Sequence, residues 1–426
     1  RVFGVNSVNL FTLRPKHGPG ATAEKISGNQ KYSQPIWHER LEPYFPILST
    51  AFSCENAMEG PEFEAMTLVK EDCEQPVRVI AVPKTLKTPR IIAIEPVCMQ
   101  YTQQALAQHV IRRIESSPLT AGHVNFTDQT INQELAMISS ADGKFATLDL
   151  SSASDRVPYS LAIRMFDSDP DFQGAVSATR STKAQMPDGE VIPLRKFASM
   201  GSAMCFPVEA MYFYTICVMA LMKKHNLPVT YNSALRVGKY VYVYGDDIIV
   251  PTDSAETVID HLQKYHCKVN TTKSFWTGKF RESCGVDAFD GELVKPTYVH
   301  HLRPNDRRET RGLISWVETS NLFYRKGYWR TAAHMMNVCE SHLGSLPIVG
   351  PKCSGLGKVS FQHLISAERW SKRFQIFEVK TWCAVPVYQG DKLEGYPALM
   401  KCLLSMESRK SSEPSLEKSH LMKTAR

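Results

Sequence analysis

Tyr240-Val241-Tyr242-Val243-Tyr244-Gly245-Asp246-Asp247-Ile248-Ile249-Val250 is a pair of β-rich apolar runs around Gly-Asp-Asp. Glycine and aspartate suit a tight turn, so a plain hairpin is the first reading. The second aspartate is more than a turn needs. Adjacent carboxylates repel, and holding both in a partly buried place calls for a cation. A metal site at Asp246 and Asp247 is therefore the second reading.

The same question arises upstream, at Phe145-Ala146-Thr147-Leu148-Asp149-Leu150-Ser151-Ser152-Ala153-Ser154-Asp155. Asp149 ends an apolar strand, an expensive place for a lone charge. Either it caps the Ser-rich turn that follows, or the two strands lie side by side and it converges with Asp246. Two carboxylates bridging two hard cations about 3.5–4 Å apart suit in-line phosphoryl transfer. Such chemistry also needs cations to grip a triphosphate. Val82-Pro83-Lys84-Thr85-Leu86-Lys87-Thr88-Pro89-Arg90 offers Lys84 and Lys87 as point charges and Arg90 as a fork. A solvated hairpin tip is the plainer alternative, but the charge-free Ile91-Ile92-Ala93-Ile94 behind it favours a buried root with a projecting basic arm.

Working outward, the chain has 426 residues, 43% hydrophobic and 22% charged, which excludes wholesale disorder, collagen and coiled coil. Its length allows two to four lobes at about 100–200 residues per domain. The net charge of +7 is uneven. Residues 291–426 hold 21 Lys/Arg against 12 Asp/Glu, and the first 290 hold 29 against 31. A basic final third suits an anionic partner or, more simply, a solvated basic surface. The eleven cysteines are scattered without a C-x-x-C pair, as expected of buried thiols in a reducing cytosol. The longest apolar stretch, Ala210 to Met222, has thirteen residues, too few to span a bilayer, and reads as a buried helix. The thirteen histidines show no zinc spacing. The chain begins with Arg1, which suggests a fragment or a processed product.

Local pattern gives a mixed α+β chain with its sheet in the middle. Residues 1–75 are loop-rich. Val77 to Pro96 reads as two strands about a turn, Gln103 to Ile114 as helix, and Phe145 to Leu150 as a short strand. Pro158 to Met165 and Phe206 to Lys224 read as helices, the second as core. After Pro296 the pattern is mostly helical, for example Ile314 to Ala333. From Ser405 on, Ser, Lys and Glu dominate and a disordered tail is expected.

Asp149 with Asp155, Ser199-Met200-Gly201 and Tyr244-Gly245-Asp246-Asp247, in this order, resemble the palm motifs of viral RNA-dependent RNA polymerases. More narrowly, the chain is similar to the replicase subunit of the positive-strand RNA bacteriophages (levivirus-like). The matching stretches include Val82-Pro83-Lys84-Thr85, Ile92-Ala93-Ile94-Glu95-Pro96, Asp128-Gln129-Thr130-Ile131-Asn132-Gln133, Pro187-Asp188-Gly189 and Phe280-Arg281-Glu282-Ser283-Cys284-Gly285. They cover roughly residues 80–300 in colinear order; the first 75 and last 100 residues resemble the family only loosely.

The resemblance implies a right-hand polymerase: fingers over 1–140 with the basic motif 82–90, palm over 141–290 with a fingers segment at about 166–198, thumb over 291–404, and a tail over 405–426. It implies RNA-directed RNA synthesis from ribonucleoside triphosphates with two Mg²⁺ ions (Mn²⁺ as a possible substitute). Asp149 and Asp246 would be the principal metal ligands, flanked by Asp247. Asp155 would sense the ribose 2′-OH, with a helix cap as the alternative. Ser199 and Gly201 would support template and nucleotide, although Ser202-Ala203-Met204 stands where the family more often carries Asn-Gly and a bulkier residue. Lys84, Lys87 and Arg90 would guide nucleotides. Lys273 would protonate departing pyrophosphate, or is a surface lysine. Arg281 and Glu282 would meet the primer or product end. Arg325, Lys326 and Arg330, interleaved with aromatics, suit RNA or a snorkelling helix face. Partners implied are template and product RNA, and host elongation factors Tu and Ts with a ribosomal protein, in the bacterial cytoplasm and without a membrane. A reverse transcriptase and a non-catalytic RNA-binding protein with a degenerate palm are the alternatives.

Overall fold

The structure, a computed structural model, describes residues 2, 8–33, 36–83, 89–350, 353–362, 366, 368–385 and 391–410. It mixes helix and sheet and divides into two compact units. The first comprises residues 1–82, 91–294 and 391–426; the second comprises 83–90 and 295–390.

At the centre of the first unit is a three-stranded antiparallel sheet in the order Phe145–Leu148, Asp247–Pro251, Tyr242–Tyr244. Ile248, Ile249 and Val250 are all buried, so the middle strand is covered on both faces and reads as continuous apolar sequence. The helix Cys205–Lys224 packs near it with fifteen of its residues buried. A helix that is apolar all round has no solvent face to show and becomes core. Pro207 sits in its first turn, where no amide partner is lost, and Lys223 and Lys224 occupy the last turn, where the helix dipole favours cations. This helix has 20 residues and matches the expected span Phe206 to Lys224 to within one residue. By length and composition it could cross a membrane, but 83% of its apolar window is buried inside the fold.

A four-stranded sheet in the order Pro89–Ile94, Val77–Pro83, Lys183–Gln185, Val191–Pro193 lies in the same part of the chain. The strands Phe280–Ser283, Val286–Phe289 and Glu292–Leu293 form a further sheet against the helix Thr130–Asp142. The expected loop-rich start is observed: short 3-10 turns and one parallel strand pair, Ile36–His38 with Thr67–Val69.

In the second unit the helices Thr310–Arg325 and Trp329–Leu343 pack around Leu313, Trp316, Val317, Met335 and Cys339. The apolar pattern suggested helix through Ile314 to Ala333, but the chain breaks at Gly327. Gly327 takes φ +83°, its N–H donates to Tyr324 O, and the Tyr328 N–H donates back to Phe323 O. That pairing is the Schellman ending, and the Phe323 and Tyr328 rings meet at 5.9 Å to complete it. Among residues expected to form a tail, Ser405–Lys410 continue the helix Gly395–Lys410, and 411–426 lie outside the described residues.

Candidate functional site

The register positions the acids. Leu148 pairs with Ile248, so the next step of the ladder sets Asp149 opposite Asp247. Tyr244 pairs with Asp247, leaving Gly245 and Asp246 as a two-residue turn. Gly245 takes φ +62°, and a Cβ there would lie 2.1 Å from the Phe206 ring. Only glycine satisfies both the conformation and the space. Phe206 in turn stands edge-on to Tyr244 at 5.3 Å and to Phe126 at 5.6 Å. Tyr244 donates its hydroxyl to Phe126 O at 3.1 Å. The acid-bearing turn is therefore clamped by aromatic packing.

Asp149 is not a helix cap. The turn that follows is a short 3-10 segment, Ser154–Arg156, whose cap residue is Ala153. Instead the segment 268–275 runs along the outer side of the Asp149 strand. Thr147 and Phe275 exchange backbone bonds at 3.0 and 2.7 Å, and the Asn270 amide donates to Asp149 Oδ2 at 2.8 Å. Ser274 Oγ accepts the Asp149 N–H at 3.0 Å.

The acids act on one another electrostatically. The Asp247 carboxyl is pushed up to about 6, first by burial, then by the negative charges of Asp246 and Asp149. All three are hard oxygen donors of the kind Mg²⁺ takes. The repulsion among them is what a divalent cation would relieve, so these residues fit such an ion. Among the described residues no three His, Cys, Asp or Glu side chains already enclose a metal position. The acids lie near enough for their charges to act on Asp247 without forming a finished cage.

Sequence reasoning missed a fourth acid, Glu209. It is buried in the Cys205–Lys224 helix, and its carboxyl is pushed up to about 8 by burial and by the charges of Asp246 and Asp155. The Cys205 thiol donates to its Oε2 at 3.9 Å. The available signal was a lone carboxylate inside an otherwise apolar helix, which is seldom left without a task.

The remaining positions divide. Asp155 is ion-paired with Lys196 at the edge of the site. Ser199 is buried, and Gly201 takes φ +129° with its Cα so near Ala93 that a Cβ would lie 2.0 Å from the Ala93 carbonyl oxygen. The Ala93 N–H donates to Met200 O at 2.9 Å, tying this loop to the strand Pro89–Ile94. Behind the loop, Gln103 Oε1 accepts from Ser202 Oγ at 3.0 Å and from the Ala203 N–H at 3.2 Å, and its amide donates to Thr179 O at 2.8 Å. Ser202 is thus engaged by Gln103, which sequence reasoning did not single out. Glu95 lies fully buried beside it, accepting from Ser181 Oγ at 2.5 Å, and burial pushes its carboxyl up to about 7.

Lys273 stands half-exposed, 3.8 Å from Glu282. Glu282 is raised by burial and by the nearby charges of Asp287 and Asp149, with Lys273 opposing. Arg281 does not face a nucleic acid. Only 1% of it is exposed, and its guanidinium donates to the carbonyls of Phe145, Gly278 and Phe280 at 2.7–3.0 Å. A buried arginine with three of its five N–H donors on backbone carbonyls of Phe145, Gly278 and Phe280 acts as a staple between two sheets. Lys84 and Lys87 lie outside the described residues. Arg90 is exposed on its strand, and Arg325, Lys326 and Arg330 are exposed at the helix break of the second unit.

The family model for the RNA replicase beta-chain matches residues 16–306. The match begins well inside the first 75 residues, which motif by motif had looked only loosely similar. The RNA-directed RNA polymerase subunit beta of Qbeta virus (strain MX1) is 36% identical over 231 residues, 54% of this chain and 36% of that protein. Its counterpart in Enterobacteria phage SP is 30% identical over 341 residues, 79% of this chain and 54% of that protein. The beta chain of Escherichia phage MS2 is 36% identical over 221 residues, 52% and 37% respectively. The chain therefore spans between about a third and about half the length of these curated relatives. Among solved structures, the RNA-dependent RNA polymerase of a human picobirnavirus aligns over 62% of this chain and 55% of its own, at 12% identity and a TM-score of 0.38, too low to carry an argument.

Proposed function

Because the chain belongs to the RNA replicase beta-chain family, we propose that it is the catalytic part of an RNA-directed RNA polymerase that copies a phage RNA genome from ribonucleoside triphosphates. The single observation that carries the reading is the strand register that brings Asp149, Asp247 and the Asp246 turn to one end of one sheet. In this reading the sheet is the palm, the chain before it supplies fingers, and the helices after residue 291 form a thumb.

Asp149 and Asp246 would hold two Mg²⁺ ions, with Asp247 flanking them. Bound there, the ions lower the pKa of the attacking 3′-hydroxyl and neutralise charge on the triphosphate. The protein's share is positioning. Asn270 and Ser274 hold Asp149 in place, and Phe206 holds the turn that presents Asp246. Glu209, whose carboxyl is raised by burial and by the charges of Asp246 and Asp155, is disfavoured in its charged form near the acids. Asp155 would accept from the ribose 2′-OH once released from Lys196, favouring ribonucleotides. Lys273 would supply the proton taken up by pyrophosphate. Lys84, Lys87 and Arg90 would guide the triphosphate, and Ser199 and Gly201 the template base. Host elongation factors Tu and Ts and a ribosomal protein are the partners this family reading brings, in the bacterial cytoplasm.

The test is incorporation of labelled ribonucleotide on an RNA template with Mg²⁺, comparing the chain with its Asp246→Asn variant, with and without factors Tu and Ts. Loss of a metal-bridging charge should cost several kcal/mol, about 1,000-fold or more in rate. Equal activity in the variant would sink the Asp246 assignment. No incorporation under any condition would sink the catalytic reading for this chain.

A further inference from the structure

The second unit ends in a small antiparallel hairpin, Arg369–Ser371 with Ile376–Glu378. Trp370 pairs directly across from Phe377, and the two rings meet at 4.8 Å. They share one face of the ribbon, because side chains alternate along a strand. Neither is covered: Trp370 is 50% exposed and Phe377 67%. At the tip the Arg373 guanidinium lies 5.2 Å from the Phe374 ring, and Phe374 is itself mostly exposed. An isolated two-stranded ribbon is marginal in water, and clustered bare aromatics on one are costly unless something covers them.

Charge selects the cover. The second unit holds 17 Lys/Arg against 6 Asp/Glu, while the first holds 33 against 37. The whole chain's excess of positive charge therefore belongs to the second unit. Within the ribbon, Arg369 is neutralised by Glu378 at 2.5 Å, while Lys372 and Arg373 stay exposed at the tip. Bare aromatic faces beside unpaired cations, on a strongly basic body, are the composition that stacks bases while tracking phosphates. A hydrophobic protein partner would gain nothing from the tip cations.

We propose that the Trp370–Phe377 face, with Lys372 and Arg373, is a docking site for single-stranded RNA, distinct from the carboxylate site. The choice of RNA rests on the polymerase reading. Bases stack on the two rings, and the tip cations hold the backbone. Duplex RNA has no free base faces to offer and is discriminated against.

The test is titration of the full chain with a fluorescein-labelled single-stranded oligoadenylate of ~12 nucleotides, against a blunt duplex of the same length. Trp370→Ala with Phe377→Ala should weaken single-strand binding about 10-fold or more and leave duplex binding unchanged. Trp370→Tyr with Phe377→Tyr should restore it, since stacking needs a ring and not this particular ring. Lys372→Ala with Arg373→Ala should weaken binding and flatten its salt dependence. Ribonucleotide incorporation by the parent, read on the same preparation, separates failure here from failure of the catalytic reading. The proposal is overturned if the alanine pair binds single strands like the parent, or loses single strand and duplex equally. It is also overturned if the alanine pair converts a self-associating parent to monomer, which would make the face a contact between copies.

Discussion

Two hairpins of similar size have opposite fates in this chain. The Tyr242–Pro251 hairpin and the Arg369–Glu378 hairpin are both ten-residue antiparallel pairs that carry aromatic side chains, although the second has a single β-branched residue, Ile376. The first is flanked by a third strand and covered by the Cys205–Lys224 helix, so its apolar residues are core and its turn is clamped by Phe206. Among the described residues the second has no third strand, and its rings are largely exposed. A hairpin's own sequence makes it fold back. Whether its aromatics become packing or a binding face depends on what the rest of the chain brings to it.

The comparison can be broken by substitutions whose cost follows from burial. Gly201→Ala should be the most damaging, about 2–4 kcal/mol by denaturant unfolding, because a methyl there meets the Ala93 backbone at a positive φ. A loss under about 0.5 kcal/mol would mean the loop is free to shift. Gln103→Leu comes next, at about 1–3 kcal/mol, because it strands Ser202 and the Ala203 N–H in a buried place. If its nucleotide KM rises more than stability alone explains, Gln103 positions the loop.

Asp247→Asn should act in the opposite direction. In metal-free buffer at pH 8 it should raise stability by on the order of 1–2 kcal/mol, because it removes a carboxylate whose charged form is disfavoured. Adding Mg²⁺ should raise the melting temperature of the parent and do less for the variant. An unstabilised variant would show that the three acids do not strain one another.

The sign of the pH dependence follows from the same groups. Asp247 is raised from 3.8 to about 6, and Glu209 from 4.5 to about 8. Both therefore favour the folded state when protonated. Their contribution is whole below the unfolded values and is lost as pH rises through the folded ones. Below about pH 7 the buried His17 and His38, whose pKa values are lowered, act in the opposite direction; between about pH 7 and pH 8.5, without metal, the melting temperature should fall, and Glu209→Gln should flatten that slope. In the exposed hairpin, by contrast, Trp370→Ala with Phe377→Ala should leave the melting temperature within about a degree or two, because the rings bury little. A larger drop would mean that they are core after all.

Much of the site was legible because its parts are local. A Gly-Asp-Asp between two apolar runs specifies a turn and two strands within eleven residues, and Asp149 at the end of another apolar strand marks itself by its cost. The helix break at Gly327 was legible in principle, but apolar periodicity across it hid the glycine. Arg281 was misread because an arginine in a matching stretch looks available until its three carbonyl partners are seen. Glu209 and Gln103 were missed because their meaning depends on neighbours far along the chain: Asp246 for the first, Ser202 for the second.

The order of acids, the turn chemistry of Gly245, the buried character of the Cys205–Lys224 helix and the basic excess after residue 291 were all determined by the sequence alone. Each depends on residues adjacent or one helical turn apart, where covalent geometry does the pairing. Only the tertiary structure decided that Asp149 lies opposite Asp247, that Glu209 is buried near Asp246 and Asp155, that Arg281 is a staple, and that one aromatic hairpin is buried and the other exposed. Those outcomes rest on burial and on charges brought together from distant positions, and both are properties of the packed chain.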